Sequence, residues 1–310
     1  MGKASLRIAA SLLLVALVFY FADPPRVLRS LGNTSPSWLA AAFGSAVVAT
    51  VLSALRWHNI ARWLGLTADR QGILMAYWRG ITANTVLPGG HLGGDALRAL
   101  HLQQTGNGLA TSAASVALDR FSGLWMLVVI SLAASAVAQG RGLLPDLFGG
   151  VPHLAQFSAL LAAVALVSPL ILWRMSSALA ARLPGKIKVL MLALHMRQRP
   201  RTLYWQQMIW STGVQVFSVL AYALGARAVG LDLPFDLFLV AAGPVFILAA
   251  LPVSVGGWGT REAASALVLG AMGAPRELAV AAAVLYGLFA ALQGLLGAGT
   301  FLIKKPTPTT

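Results

Sequence analysis

The sequence predicts an all-α polytopic membrane protein with about six full spans plus two opposed re-entrant hairpins, arranged as an inverted repeat. Three observations predict it. First, 58% of the 310 residues are hydrophobic, only 10% are charged, and mean hydropathy is +0.76. A soluble domain carries about 25% charged residues. Second, several apolar runs approach the roughly 20 residues needed to cross a bilayer. They are continuous rather than alternating, which sets aside a membrane β-barrel. Third, two glycine-rich breaks echo each other. Residues 84–98 read NTVLPGGHLGGDALR and residues 251–262 read LPVSVGGWGTRE. Each holds Leu-Pro, a short spacer and Gly-Gly-x-x-x-Arg: Leu87-Pro88, Gly93-Gly94 and Arg98, then Leu251-Pro252, Gly256-Gly257 and Arg261. A broken apolar segment repeated in each half of a chain points to a membrane binding site.

The first span covers about 6–22, with Lys3 and Arg7 ahead of it, so the N-terminus is cytoplasmic. It reads as a retained span, because Tyr20 stands where a signal cleavage site wants a small residue. Asp23-Pro24-Pro25 ends it, and a short outside loop runs to Ser37. The second span is 38–55, with Trp38 and Trp57 as interface anchors. Arg56, Arg62 and Arg70 mark a cytoplasmic loop, with the segment around Trp63 along the interface. The run 72–86 is short for a crossing and is interrupted by Arg79 and Asn84. A Pro/Gly cluster ends it, and a second short helix starts near Asp95, carrying Arg98 and His101. The third full span, 111–138, has Asp119 and Arg120 near its start, and the fourth is 154–173. The loop 174–201 is strongly basic with no acidic residue and is the clearest cytoplasmic signal in the chain. The fifth span is 203–229. The second broken segment follows, with apolar runs at 235–251 and 260–273. The last span is 278–303, and Lys304 and Lys305 place the C-terminus inside.

Counting crossings fixes the hairpins. Two full spans lie between the cytoplasmic loops 56–70 and 174–201, so the first broken segment must enter and leave from the inside. The second lies between an outward fifth span and a last span that ends inside, so it enters and leaves from the outside. If 235–251 crosses instead, 260–273 crosses back and the chain has eight helical segments. The organisation is a single integral membrane domain over 1–303, with repeats of about 1–140 and 152–303, and a short cytoplasmic tail at 304–310. Three spans per half is an odd number, so the halves are inverted.

The net charge of +14 does not indicate nucleic acid, because the basic residues sit in loops beside apolar runs and set orientation. Cysteine is absent, which removes disulfides and thiol chemistry.

At the two breaks the chain resembles the transmembrane family named after lysylphosphatidylglycerol synthase. The residues that carry the likeness are Arg79, Asn84, Pro88-Gly89, Gly93-Gly94-Asp95 with Arg98, then Asp119-Arg120. A second block holds Pro252, Gly256-Gly257-Trp258-Gly259 and Arg261-Glu262. The likeness covers nearly the whole chain. In larger relatives this region adjoins a soluble aminoacyltransferase domain and is implicated in moving the lysylated lipid across the bilayer. The chain ends at Thr310 without room for that domain, so the resemblance implies a stand-alone flippase-like part and not lysyl transfer. It does not carry over a substrate.

Ionisable groups in spans cost roughly 2.5–3.5 kcal/mol each on insertion scales. Asp95, Arg98, Asp119, Arg120, Arg261 and Glu262 therefore need either each other or a ligand. Mutual pairing would join Asp95 to an arginine, Asp119 to Arg98 or Arg79, and Glu262 to Arg261 or to an arginine from the other half. The functional alternative is a lipid phosphate, whose oxygens suit the planar guanidinium fork. After each Gly-Gly a helix can begin, with Asp95 or Thr260 as N-cap, aiming free N–H groups and partial positive charge at a cavity. Glycine also permits a tight turn or close approach. The candidate substrate-binding set is Arg79, Asn84, Pro88, Gly93, Gly94, Asp95, Arg98, Asp119, Arg120, Gly256, Gly257, Trp258, Gly259, Arg261 and Glu262. Arg79, Arg98, Arg120 and Arg261 are expected to line the cavity.

His91 and Asp95 lack further ligands and the spacing of a membrane acyltransferase signature, so no catalytic or metal site and no cofactor is expected. His58, His101, His153 and His195 read as loop or interface residues, and Gln215 and Gln293 as interhelical hydrogen-bond partners. The leading expectation is a flippase-like protein of the plasma (inner) membrane that translocates an anionic lipid or polyprenyl-linked lipid. Its partners would be that lipid and a lipid-synthesising enzyme docked on the 174–201 loop, with an oligomer compatible. The alternatives are a non-transporting accessory that presents a lipid intermediate, or a membrane enzyme acting on a lipid headgroup.

Overall fold

The computed structural model describes residues 24–32, 34–86, 92–144, 153–182, 200–251 and 254–301. Every regular element among them is helical: α1 Pro24–Gly32, α2 Pro36–Trp63, α3 Arg70–Val86, α4 Leu92–Gln104, α5 Leu109–Gly140, α6 Leu154–Arg182, α7 Pro200–Ala228, α8 Phe235–Ala250, α9 Thr260–Ala271 and α10 Arg276–Ala298. A single 3-10 turn, Gly299–Phe301, follows α10. Five helices are long and apolar enough to cross a membrane: Pro36–Trp63, Leu109–Gly140, Leu154–Met175, Pro200–Ala228 and Arg276–Phe301. They coincide with five of the six predicted spans. The sixth, 6–22, lies outside the described residues, as do Pro88, His91, Pro252, residues 183–199 of the basic loop, and Lys304 and Lys305.

Several boundaries differ from the sequence reading. The predicted outside loop contains α1, a nine-residue helix that starts on Pro24-Pro25 and buries Val27. Proline at a helix start is tolerated because its missing N–H had no partner there. The predicted loop after residue 55 is the last two turns of α2. They stay helical because Trp57, Ile60 and Ala61 are buried, in a cluster with Ile73 of α3 and Leu102 of α4. Tertiary burial outweighs the charge of Arg56 and Arg62 there. His58 and His101 accordingly fall within α2 and α4. The basic segment is helical as far as Arg182.

The packing has one recurring sense. On α2 and α7, the Ser35 N–H donates to Ala228 O, Ser45 Oγ to Phe217 O, and Gln207 Nε2 to Asn59 Oδ1. Rising numbers on α2 meet falling numbers on α7, so the two helices are antiparallel. Likewise Arg79 and Thr82 of α3 meet Thr300 and Gly294 at the end of α10. Ser131 of α5 and Arg141, its C-cap, meet Leu239 and Asp236 of α8. The set of neighbours α2–α7, α3–α10, α5–α8, α3–α4, α8–α9, α4–α5 and α9–α10 maps onto itself when α2–α5 and α7–α10 are exchanged.

The largest core lies in the second half, around Tyr222 and Phe238, with Ala279 to Ala283 of α10 fully buried. Small residues let helix backbones approach closely, which is how helices pack when lipid competes for apolar contact. Along α10, a Cβ at Gly294 or Gly297 would collide with Thr85 or Thr82 of α3. α6 instead leaves Phe157, Leu160, Val164 and Ile171 exposed, as a lipid-facing helix would.

Candidate functional site

Each glycine-rich break is a joint between two short helices, α3–α4 and α8–α9. In the first joint, Asn84 near the end of α3 accepts the Gly94 N–H through Oδ1 at 2.8 Å. A Cβ at Gly94 would collide with the Gly80 carbonyl and the Asn84 side chain, so only glycine lets α4 lie this close to α3. In the second joint, Gly256, Gly257 and Gly259 all have φ between 58° and 86°, the left-handed region that glycine alone occupies without strain. Asp95 is not the N-cap of α4. That helix begins at Leu92 and puts Asp95 in its first turn. Thr260 is the first residue of α9, after Gly259 as N-cap, and the Gly259 N–H is met by Glu262 Oε2 at 2.6 Å.

The joints deliver the charged residues into two clusters. In the first half, Asp119 of α5 serves two arginines. Arg56 Nε donates to Oδ1 at 2.8 Å, and Arg98 Nη2 donates to Oδ2 at 2.6 Å. Arg56 also donates to Ser211 of α7. The Arg98 guanidinium lies 4.3 Å from the Trp57 ring centre and 4.5 Å from that of Tyr77. Arg120 grips Asp95 with both arms of its fork, at 2.8 to 3.0 Å. In the second half, Arg261 donates to Glu262 Oε1 at 2.6 and 3.1 Å and to Ala283 O at 2.9 Å, beside Trp258. Arg98 reaches forward 21 residues to Asp119, and Arg261 reaches forward 22 residues to Ala283. At that forward spacing Arg98 meets a carboxylate and Arg261 a backbone carbonyl, the carboxylate of Arg261 being its neighbour Glu262.

Between the clusters is a cavity of about 370 Å³. Arg98, Arg120 and Arg261 are on its wall, with Asn84, Gln215 and Gln293 as neutral polar groups and Tyr77, Phe246, Trp258 and Tyr286 as aromatic ones. Among the described residues, no carboxylate reaches the wall. Gln215 Nε2 donates to Gly123 O, and Gln293 Oε1 accepts from Thr50, so each joins two helices as expected. Among the described residues, Arg98 Nε has no partner.

The candidate residues therefore separate. Asn84, Arg98, Arg120, Gly256, Trp258 and Arg261 line the cavity. Asp95, Asp119 and Glu262 stand behind it as counter-ions, and Gly94, Gly257 and Gly259 shape the joints. Gly93 is half-buried beside Gly94. Arg79 is not on the wall. It points along α3 to the Thr300 carbonyl at 2.5 Å and lies over Phe301, closing the end of α10. Sequence reading missed Arg56, which it took for a loop residue, and two glycines that make room for arginines. A Cβ at Gly123 would lie 3.1 Å from both Arg56 Nη atoms, and one at Gly287 would collide with the Arg261 guanidinium. No sequence signal marked Arg56, since a basic residue that ends an apolar run has the pattern of a loop marker.

Geometrically, the site is an amphipathic chamber with guanidinium donors already held in place by carboxylates. Among the described residues, no group of three His, Cys, Asp or Glu could hold a metal ion. Comparison with known proteins agrees with a membrane protein of this kind. A UPF0104 membrane protein of Methanocaldococcus jannaschii is 26% identical over 102 residues, covering 33% of this chain and 30% of that protein. The match thus spans about a third of either chain. The family model described as the lysylphosphatidylglycerol synthase TM region matches residues 5–297, which takes in both glycine-rich joints and both ionic clusters. The chain belongs to the lysylphosphatidylglycerol synthase TM-region family.

Proposed function

We propose that this protein is a flippase-like translocase for an anionic lipid. The observation that carries the reading is the central cavity whose wall, among the described residues, holds Arg98 and Arg120 from the first half, Arg261 from the second, and no carboxylate. Two buried guanidinium groups and one exposed one, on a partly aromatic wall, suit a phosphate-bearing headgroup, while the acyl chains stay in lipid. The site is a passage, with no catalytic step assigned to it.

On this reading the halves form an inverted repeat, about 1–140 and 152–303, with both termini cytoplasmic in the plasma (inner) membrane. The antiparallel sense of α2 and α7, and the exchange of α3–α10 for α5–α8, support it. Hairpin α3–α4 then opens to the cytoplasm and α8–α9 to the outside, so headgroup access can alternate between them. A partner lipid enzyme would dock on the basic 174–201 segment.

Purified protein in vesicles with fluorescent lipid tracers tests the function. Faster transbilayer movement of anionic phospholipid or polyprenyl phosphate is expected, and loss of that acceleration in Arg261→Ala. No acceleration for any anionic lipid would sink the reading. Single cysteines at Gly90 and at the exposed Leu251 test the orientation, since the native chain has no cysteine. They should label from opposite sides of the membrane.

A further inference from the structure

The cavity wall shows its arginines but hides their accounting. Arg261 is matched one to one by Glu262. In the first half, Arg56, Arg98 and Arg120 share Asp95 and Asp119, which among the described residues leaves one positive charge without a counter-ion. The surplus traces to Arg56. Without it, Asp119 would be matched by Arg98 alone. Arg56 is 4% exposed, is absent from the cavity wall, and is held by Asp119 and Ser211. Its space is reserved by Gly123, where any side chain would crowd both Nη atoms. A buried arginine that only tied helices together would be cheaper as a neutral residue, because desolvating a charge costs several kcal/mol even when it is paired.

We infer that Arg56 sets the net charge of the headgroup that the cavity accepts, acting through Asp119 and the local field rather than by touching the ligand. The class selected is a lipid whose headgroup carries one negative charge, such as a phosphodiester with an uncharged polar end group. It brings the site to neutrality. A zwitterionic headgroup leaves the surplus charge in place, and a phosphomonoester, close to two negative charges at neutral pH, overshoots it. The neutral amides of Asn84, Gln215 and Gln293 on the same wall fit hydroxyl groups beside that phosphate. Arg56 is thus a specificity-determining residue, not a contact residue. This inference takes its ligand class from the lipid-binding reading above.

A charge cycle tests it. Wild type, R56Q, D119N and the double variant R56Q/D119N are purified in detergent. Binding of dioleoyl phosphatidylcholine, phosphatidylglycerol and phosphatidic acid is measured by competition with a fluorescent phosphatidylglycerol. The network then carries a surplus of one, none, two and one, respectively. A unit charge about 10 Å away at an effective dielectric of about 20 is worth roughly tenfold in affinity. Wild type should prefer phosphatidylglycerol. R56Q should shift about tenfold toward phosphatidylcholine and D119N about tenfold toward phosphatidic acid. The double variant should regain the wild-type preference. Simple destabilisation would weaken both single variants without opposite shifts. R56K keeps the charge and should keep the preference, so a fold-defective R56Q still leaves a decision to R56K and the double variant. The same preference in all four proteins, a double variant that does not prefer phosphatidylglycerol, or wild type binding all three lipids alike overturns the inference. Wild type that binds with the expected preference but moves no lipid across vesicles overturns translocation alone.

Discussion

Glu262 does two jobs with one carboxylate. Oε1 neutralises Arg261, and Oε2 caps the Gly259 N–H at the start of α9, with the side chain only 1% exposed. Removing one member of a buried pair leaves an uncompensated charge and typically costs about 3–5 kcal/mol. Glu262→Ala should therefore lower stability by about 3 kcal/mol or more. Glu262→Gln should cost less, because its amide oxygen can still accept from Gly259. Chemical unfolding in detergent ranks them, and an unperturbed Glu262→Ala would show that water rather than Glu262 satisfies Arg261. At this scale the sequence was readable at most places where a charge interrupted an apolar run, Arg79 excepted, since such a residue is too expensive to be incidental. Asp95, Arg98, Asp119, Arg120, Arg261 and Glu262 all stand in the two clusters. Arg56 was unreadable, because a basic residue at the end of an apolar run has the same pattern as a loop marker. Only the burial of Trp57 and Ile60 beyond it shows that the helix continues.

The close contact at the scale of elements is α3 against α4. Gly94 meets the Gly80 carbonyl and Asn84 so tightly that no methyl group fits, and the obstacle is partly backbone, which cannot rotate away. Gly94→Ala should destabilise by about 1–3 kcal/mol, the usual penalty of overpacking. Gly44→Ala is the control. It lies inside α2 with nothing within 4 Å of the added methyl and should stabilise by about 0.5–1 kcal/mol through helix propensity. Thermal unfolding of the pair should move in opposite directions, and a shared direction would mean the α3–α4 contact is looser than it looks. The existence of both joints was legible from proline and glycine clusters that helices avoid. Their details were not. Asp95 was expected as a cap, but α4 starts one turn earlier, at Leu92. Arg79 was expected on the cavity wall, but the α3 face that carries it turns to α10.

The whole molecule is held together largely by contacts between halves. α2 packs on α7, α3 on α10 and α5 on α8, whereas the covalent joint between the halves runs only through 141–153. Fragments 1–146 and 147–310, expressed together, should co-purify in detergent through a tag on either one. Recovery of the tagged fragment alone would mean that the halves are bound mainly through the chain. The pairing of halves was foreshadowed by the repeated Leu-Pro and Gly-Gly-x-x-x-Arg signature. Which helix meets which was not, because apolar runs of similar length carry no address. Nor was the divergence between the two arginines, one facing Asp119 and the other the Ala283 carbonyl, since the repeat stops short of those positions.

The Arg56 contacts also have a meaning in time. Its carboxylate partner is 63 residues downstream and its hydroxyl partner, Ser211, is 155 residues downstream. Ribosomes add about 5–20 residues per second, so α2 exists for roughly 10–30 s before α7 is complete. During that interval the first half is a membrane protein with an unfinished interior, and the antiparallel α2–α7 seam cannot close until α7 is made. Assembly of this molecule is therefore a race between elongation and the machinery that removes half-built membrane proteins, and Asp119, arriving first, is what lets Arg56 wait.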